Sequence, residues 1–107
     1  MTEPSMQAPT TGVDDILAAN DGYRLRVRVL NEQGLHARPA ARLSQEAQKF
    51  GCSIHLRHDG EAVDAKSILD ILTMAAGHGS ELELHADGPD ALEALRHLRA
   101  LFHNRFR

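Results

Sequence analysis

The chain has 107 residues, 42% of them apolar and 25% charged, which suffices for one small domain with a single core and leaves no room for a separate catalytic domain. Its formal charge of −3, with both signs interspersed, lacks the basic footprint of a nucleic-acid binder, and three Phe, one Tyr and no Trp offer little to stack on bases or sugars. The lone cysteine, Cys52, excludes an internal disulfide, and no apolar run nears the roughly 20 residues of a membrane span or matches a secretory leader, so the cytoplasm is the expected compartment.

Residues 1–11, "MTEPSMQAPTT", carry almost no large apolar side chains and are expected to stay disordered. "VDDILAAND" fits one or two helical turns with Val13, Ile16 and Leu17 on one side but is short for an isolated helix, so it is expected either to rest on the domain as such or to stay mobile. Residues 1–21 are therefore read as an N-terminal extension and residues 22–107 as the folded domain. From Tyr23 the pattern alternates strictly, with Leu25, Val27 and Val29 against Arg24, Arg26 and Arg28, which predicts a strand with one buried face. After the turn "NEQG", Ala40, Leu43, Ala47 and Phe50 recur at helical spacing and predict a helix over 37–50, stopped by Gly51. "CSIHLRH" alternates again with Cys52, Ile54 and Leu56 inward, and Asp59-Gly60 turns the chain into a return strand over 61–65. Residues 67–76 read as a short helix, apolar on several sides and carrying more apolar surface than a small core absorbs. A strand with Leu82, Leu84 and Ala86 inward follows, and Pro89 opens a last helix through Phe102. The order βαββαβα predicts a two-layer α+β sandwich whose open sheet face carries Arg24, Arg26, Arg28, Ser53, His55, Arg57, Glu81, Glu83 and His85.

"GLHARPAARL", residues 34–43, sets a histidine at the boundary between a loop and a helix. Pro39 tolerates the first helical turn because its missing N–H has no intrahelical partner there. The first amides of that helix then point out unpaired beside His36, forming with the positive end of the helix dipole an anion site. Arg38 adds a permanent cation suited to a phosphate. A neutral imidazole nitrogen attacks phosphorus near neutral pH, so histidine, amides and arginine together point to a phosphoryl acceptor. The competing reading of "HAR" alone is a surface histidine that weakly caps its helix.

The decapeptide resembles the phosphorylation-site motif of the HPr family, the histidine phosphocarriers of the phosphoenolpyruvate-dependent phosphotransferase system. "DAKSILDIL", residues 64–72, resembles the family's second-helix segment, with Ser67 at the place of its regulatory serine. The resemblance covers about residues 23–106. It implies an open-faced β-sandwich, a four-stranded antiparallel sheet with three helices on one face, and a monomer. It implies that His36 accepts a phosphoryl group from phosphorylated enzyme I through Nδ1 and passes it to a histidine of an enzyme IIA protein, while Arg38 neutralises phosphate charge. Ile68, Leu69, Ile71 and Leu72 include residues that by the same analogy dock both partners, although Ile68 and Leu72 also read as core. Ser67 reads first as a helix N-cap; in the branch that possesses an HPr kinase this serine is phosphorylated, which makes that kinase a further candidate partner. The segments 84–95 and 100–107 look closer to the nitrogen-related branch, whereas "DAKS" leans toward the sugar-transport branch.

No cofactor, metal, nucleic acid or membrane span is expected. There is no Walker glycine loop, no obvious carboxylate cluster for Mg²⁺ and no nucleophile paired with a base, which suits a carrier whose partners supply the other reacting groups. The alternative from another class is a regulatory module that binds partners through the same helix without transferring phosphate. His55 and His58 fall on opposite faces of a strand, His55 and His85 make at most a pair, His97 and His103 read as solvated, and Cys52 as core.

Overall fold

The computed structural model describes residues 15–107. One antiparallel sheet contains β1 (Ile16–Ala19), β2 (Gly22–Arg28), β3 (Ser53–His58), β4 (Glu61–Asp64) and β5 (Glu81–Asp87), in the spatial order β1-β2-β5-β3-β4. Helices α1 (Ala37–Ala47), α2 (Ile68–Thr73) and α3 (Ala91–His103) complete the chain. The fold is the expected α+β open-faced sandwich with three helices, with five strands in place of four.

The extra strand corrects the helical expectation over residues 15–21. Ile16–Ala19 pair with Gly22–Leu25, Ile16 opposite Leu25 and Ala19 opposite Gly22, through a two-residue connection at Asn20-Asp21. A helix of two turns has too few internal hydrogen bonds to offset its nucleation cost, whereas the free edge of β2 offers ready-made partners. Gly22, at φ +128, is required here because a Cβ would overlap the Ala86 carbonyl of β5. The expectations for residues 1–14 lie outside the described residues.

Alternation builds the core as the pattern predicts. Leu25 and Val27 of β2, Ile54 and Leu56 of β3, and Leu82, Leu84 and Ala86 of β5 are all buried, with Cys52 just ahead of β3 and Val29 just past β2. Ala40, Leu43 and Ala47 of α1 and Ala94, Leu95, Leu98 and Phe102 of α3 close over them. Each fully buried Leu contributes about 2 kcal/mol, and the alanines let the helices approach closely. Register pairs charges on the open face: Arg26 opposes Glu83 and Arg28 opposes Glu81, and the Arg28 guanidinium donates to Glu81. The helix predicted to run to Phe50 ends at Ala47, and the next residues are pinned instead by Asp90, which accepts from the Gly51 and Cys52 N–H groups at 2.8 and 2.9 Å. Those bonds, the Gly51 amide first, hold the Asp90 carboxyl below its ordinary range, while burial followed by the nearby Asp90 pushes the Cys52 thiol up to about 11. Cys52 is therefore an inert core residue, as its inward register implies.

Candidate functional site

The chain leaves β2 through a tight turn that aims His36 at solvent. Gly34 N–H donates to the Asn31 carbonyl at 2.9 Å, and Gly34 sits at φ +72 against the backbone of Ala76 and Gly77. Leu35 is buried and its N–H donates to the Ala76 carbonyl at 2.9 Å. This turn is tied further by Val29, whose N–H donates to Ser80 and whose carbonyl accepts from Gly79. The residue before His36 is thus fixed to the 76–80 loop, and glycine is the residue that permits the contact.

His36 is the N-cap residue of α1, with extended backbone and no side-chain capping bond, and it is exposed. The first intrahelical bond runs from Ala40 N–H to the His36 carbonyl at 3.0 Å. The Ala37 and Arg38 amides precede it and have no acceptor four residues back within the helix; Pro39, buried on the inner side, has no N–H. The first turn carries no acidic side chain, so nothing on the helix itself neutralises its positive end. Arg38 is exposed on the same turn. One helix start thus carries an imidazole free of capping duty, two amides without an intrahelical acceptor and an exposed arginine.

One cationic pair escaped the sequence reading. Arg105 and Arg107 line a depression of about 350 Å³ together with His36, Asn31 and Glu32. Asn31 Nδ2 donates to the Arg105 carbonyl at 3.0 Å, joining the far end of the chain to the turn before the histidine. Two arginines just past a helix that reads as ending near residue 102 were a visible signal of charge, but nothing local in sequence tells which loop they face.

The α2 residues divide by face. Ile71 is fully buried, and Ile68 is partly buried against the core, with Met74 following on the same side. Ile71 therefore cannot belong to a docking patch: at a spacing of three residues, 68 and 71 form the inner stripe of the six-residue helix, and Met74, its C-cap, continues it. Leu69 and Leu72 face outward, 71% and 36% exposed, the two large apolar side chains left open among the described residues. Ser67 is the N-cap of α2, its Oγ accepting from Asp70 N–H at 3.3 Å, as the capping reading predicts.

The remaining histidines sort into structural roles. His97 is exposed, as expected, and in addition pairs its Nε2 with Glu46 and packs its ring against Phe50, with centroids 5.6 Å apart. Glu46 also accepts from Lys49 at 3.0 Å and pairs with Arg42 at 3.3 Å, and the His97 and Lys49 bonds lead in lowering its carboxyl to about 2. Glu46 lies at the edge of the apolar stripe of α1, three residues after Leu43, and it is buried where α1 meets α3. His55 and His85 stand opposite each other across β3 and β5, and His85 Nε2 pairs with Asp21 at 3.1 Å. Among the described residues no group of three or more His, Cys, Asp or Glu side chains could hold a metal ion, and no helix is long and apolar enough to cross a membrane.

Residues 23–104 match the family model described as PTS HPr component phosphorylation site. Over 80 residues the chain is 52% identical to the phosphocarrier protein HPr of Treponema pallidum, covering 75% of this chain and 91% of that protein. It is 46% identical over 78 residues to the phosphocarrier protein HPr of Cupriavidus necator, covering 73% of this chain and 88% of that one. A crystal structure of HPr-C-His from Thermoanaerobacter tengcongensis superposes with a TM-score of 0.75 at 37% identity, covering 78% of this chain and 93% of that chain.

Proposed function

The chain belongs to the HPr family, the phosphocarriers of the phosphotransferase system, and from that premise we propose that His36 is the residue that carries the phosphoryl group. The observation that carries this assignment is the exposed imidazole at an uncapped helix start, beside the unpaired Ala37 and Arg38 amides. As the Nε2–H tautomer, His36 holds a lone pair on Nδ1. That lone pair forms the new N–P bond as the N–P bond of a donor phosphohistidine, protonated on its other ring nitrogen, breaks; the electron pair of the broken bond returns to the donor ring, which leaves as a neutral imidazole. No proton has to move, so the acceptor needs no general base. The amides and Arg38 lie where negative charge gathers on the phosphoryl oxygens, and the reverse sense of the same step delivers the group onward.

The donor in this reading is phosphorylated enzyme I and the acceptor a histidine of an enzyme IIA protein, met in turn in the cytoplasm. Leu69 and Leu72 supply the apolar surface for both encounters, since exposed large apolar side chains on one short helix are suited to transient docking. In this reading the carrier acts as a monomer. Phosphorylation of Ser67 by a kinase would add a dianion beside Leu69, opposing docking by desolvation and repulsion. Whether the carrier serves sugar uptake or nitrogen-type regulation follows from its IIA partner. Incubation with phosphoenolpyruvate, Mg²⁺ and enzyme I is expected to add one phosphoryl group, labile to acid and stable to base. His36→Ala is expected to abolish it, and labelling that survives this substitution overturns the assignment.

A further inference from the structure

The family match ends at residue 104, yet the next three residues are built against the site. The last turn of α3 closes with Arg105 N–H donating to the Phe102 carbonyl at 3.2 Å and Phe106 N–H to the Leu101 carbonyl at 2.8 Å. This pair of bonds is a Schellman closure, whose first residue past the cap is ordinarily glycine. Here that residue is Arg105, at φ +56, followed by Phe106 at φ +62. Both occupy the left-handed region that L side chains rarely adopt. The conformation is held from both sides. Phe106 is buried and meets Phe102 edge-on with centroids 4.8 Å apart, and Asn31 Nδ2 grips the Arg105 carbonyl. Burying residue 106 leaves Arg105 and Arg107 exposed on either side of it, lining the depression that contains His36. Arg38 is not among the residues of that wall.

We propose that Arg105 and Arg107 are phosphate-binding residues, which hold the oxygens of the phosphoryl group on His36 from the side opposite the α1 amides. The proposal rests on His36 being the acceptor. The residues lining the depression include two arginines and a single acidic side chain, Glu32, a balance that favours an anion. Arg105 occupies a glycine's place in the closure, a strained backbone that persists because Phe106 is buried beside it and Asn31 binds its carbonyl. Neither arginine is in an ion pair among the described residues.

The test uses the full chain and a variant in which folding is protected: Arg105→Gly, which suits φ +56, combined with Arg107→Gln. Binding of inorganic phosphate, followed by NMR at the Ala37 and Arg38 amides without any partner protein, is expected to weaken about fivefold, the scale of two exposed ion pairs. The initial rate of phosphorylation by enzyme I is expected to fall by a similar factor, and the gap between wild type and variant to narrow in high salt. Arg105→Gly with Arg107→Lys, which restores one charge, is expected to recover part of the affinity. Equal phosphate affinity in wild type and the double variant overturns the proposal, as does a wild type that binds no phosphate at these amides. A wild type that takes up no phosphoryl group on His36 refutes instead the acceptor assignment beneath it.

Discussion

Gly34→Ala tests whether the turn before His36 is held by a backbone contact rather than by glycine's freedom alone. Gly34 and Gly60 both have positive φ, +72 and +83, so an alanine at either costs about 1 kcal/mol in backbone conformation. They differ in their surroundings. A Cβ at Gly60 meets nothing within 4 Å, whereas one at Gly34 lies 2.8 Å from the Gly77 Cα and overlaps the Ala76 carbonyl oxygen. Relief at Gly34 requires the turn to separate from residues 76–77, which breaks the buried Leu35 N–H to Ala76 bond of 2.9 Å. An unmade buried bond of this kind costs about 1–3 kcal/mol. Gly34→Ala is therefore expected to lose about 3 kcal/mol and Gly60→Ala about 1 kcal/mol. Urea unfolding followed by circular dichroism measures both, and transfer from enzyme I should slow in the Gly34 variant alone. Equal losses at the two glycines would refute the contact.

Three further outcomes follow from the same geometry. Ile71→Ala should lose about 3 kcal/mol in urea unfolding because it empties a sealed core position, while Leu69→Ala should leave stability within about 0.5 kcal/mol and raise the KM for enzyme I; the reverse pattern would return Ile71 to the docking surface. The Glu46 carboxyl falls from 4.5 to about 2 on folding, so its contribution is fully present above pH 4.5 and fades as pH drops through 2. With its partners 42–62% exposed, that contribution is about 1 kcal/mol, and Glu46→Gln should flatten the acid limb of a stability-versus-pH curve by that amount. Ser67→Ala should cost about 1 kcal/mol through the lost cap; Ser67→Asp keeps a capping oxygen, so its thermal stability should match wild type while its phosphorylation rate falls, and an unchanged rate would remove Ser67 from regulation.

What the sequence made legible is what repeats at short range. Period-two alternation placed Leu25, Ile54 and Leu84 inward, and the spacing of Ala40, Leu43 and Ala47 placed one face of α1, because these patterns are set by local geometry. Ile16–Ala19 were read as helical because four residues cannot show whether a neighbouring edge is free to pair with them. The docking role of Ile71 comes only from the family resemblance; α2 is apolar on several sides, so its sequence does not say which stripe turns inward, and the burial of Ile71 with Ile68 and Met74 does. At the site, His36 and Arg38 were visible within one decapeptide. Arg105 and Arg107 reach His36 from the far end of the chain through a helix closure and the Asn31 bond, a relation with no local trace. Glu46 likewise gains its His97 partner from a second helix.

The chain contains seven histidines, so adding one phosphoryl group does not say where it rests. The most direct measurement is ³¹P and ¹⁵N NMR of the histidine-labelled protein after phosphorylation by phosphoenolpyruvate and enzyme I. Phosphorus bonded to Nδ1 of His36, with the other six imidazoles unchanged, is the result expected. Phosphorus on any other ring, or on Nε2 of His36, would contradict the account.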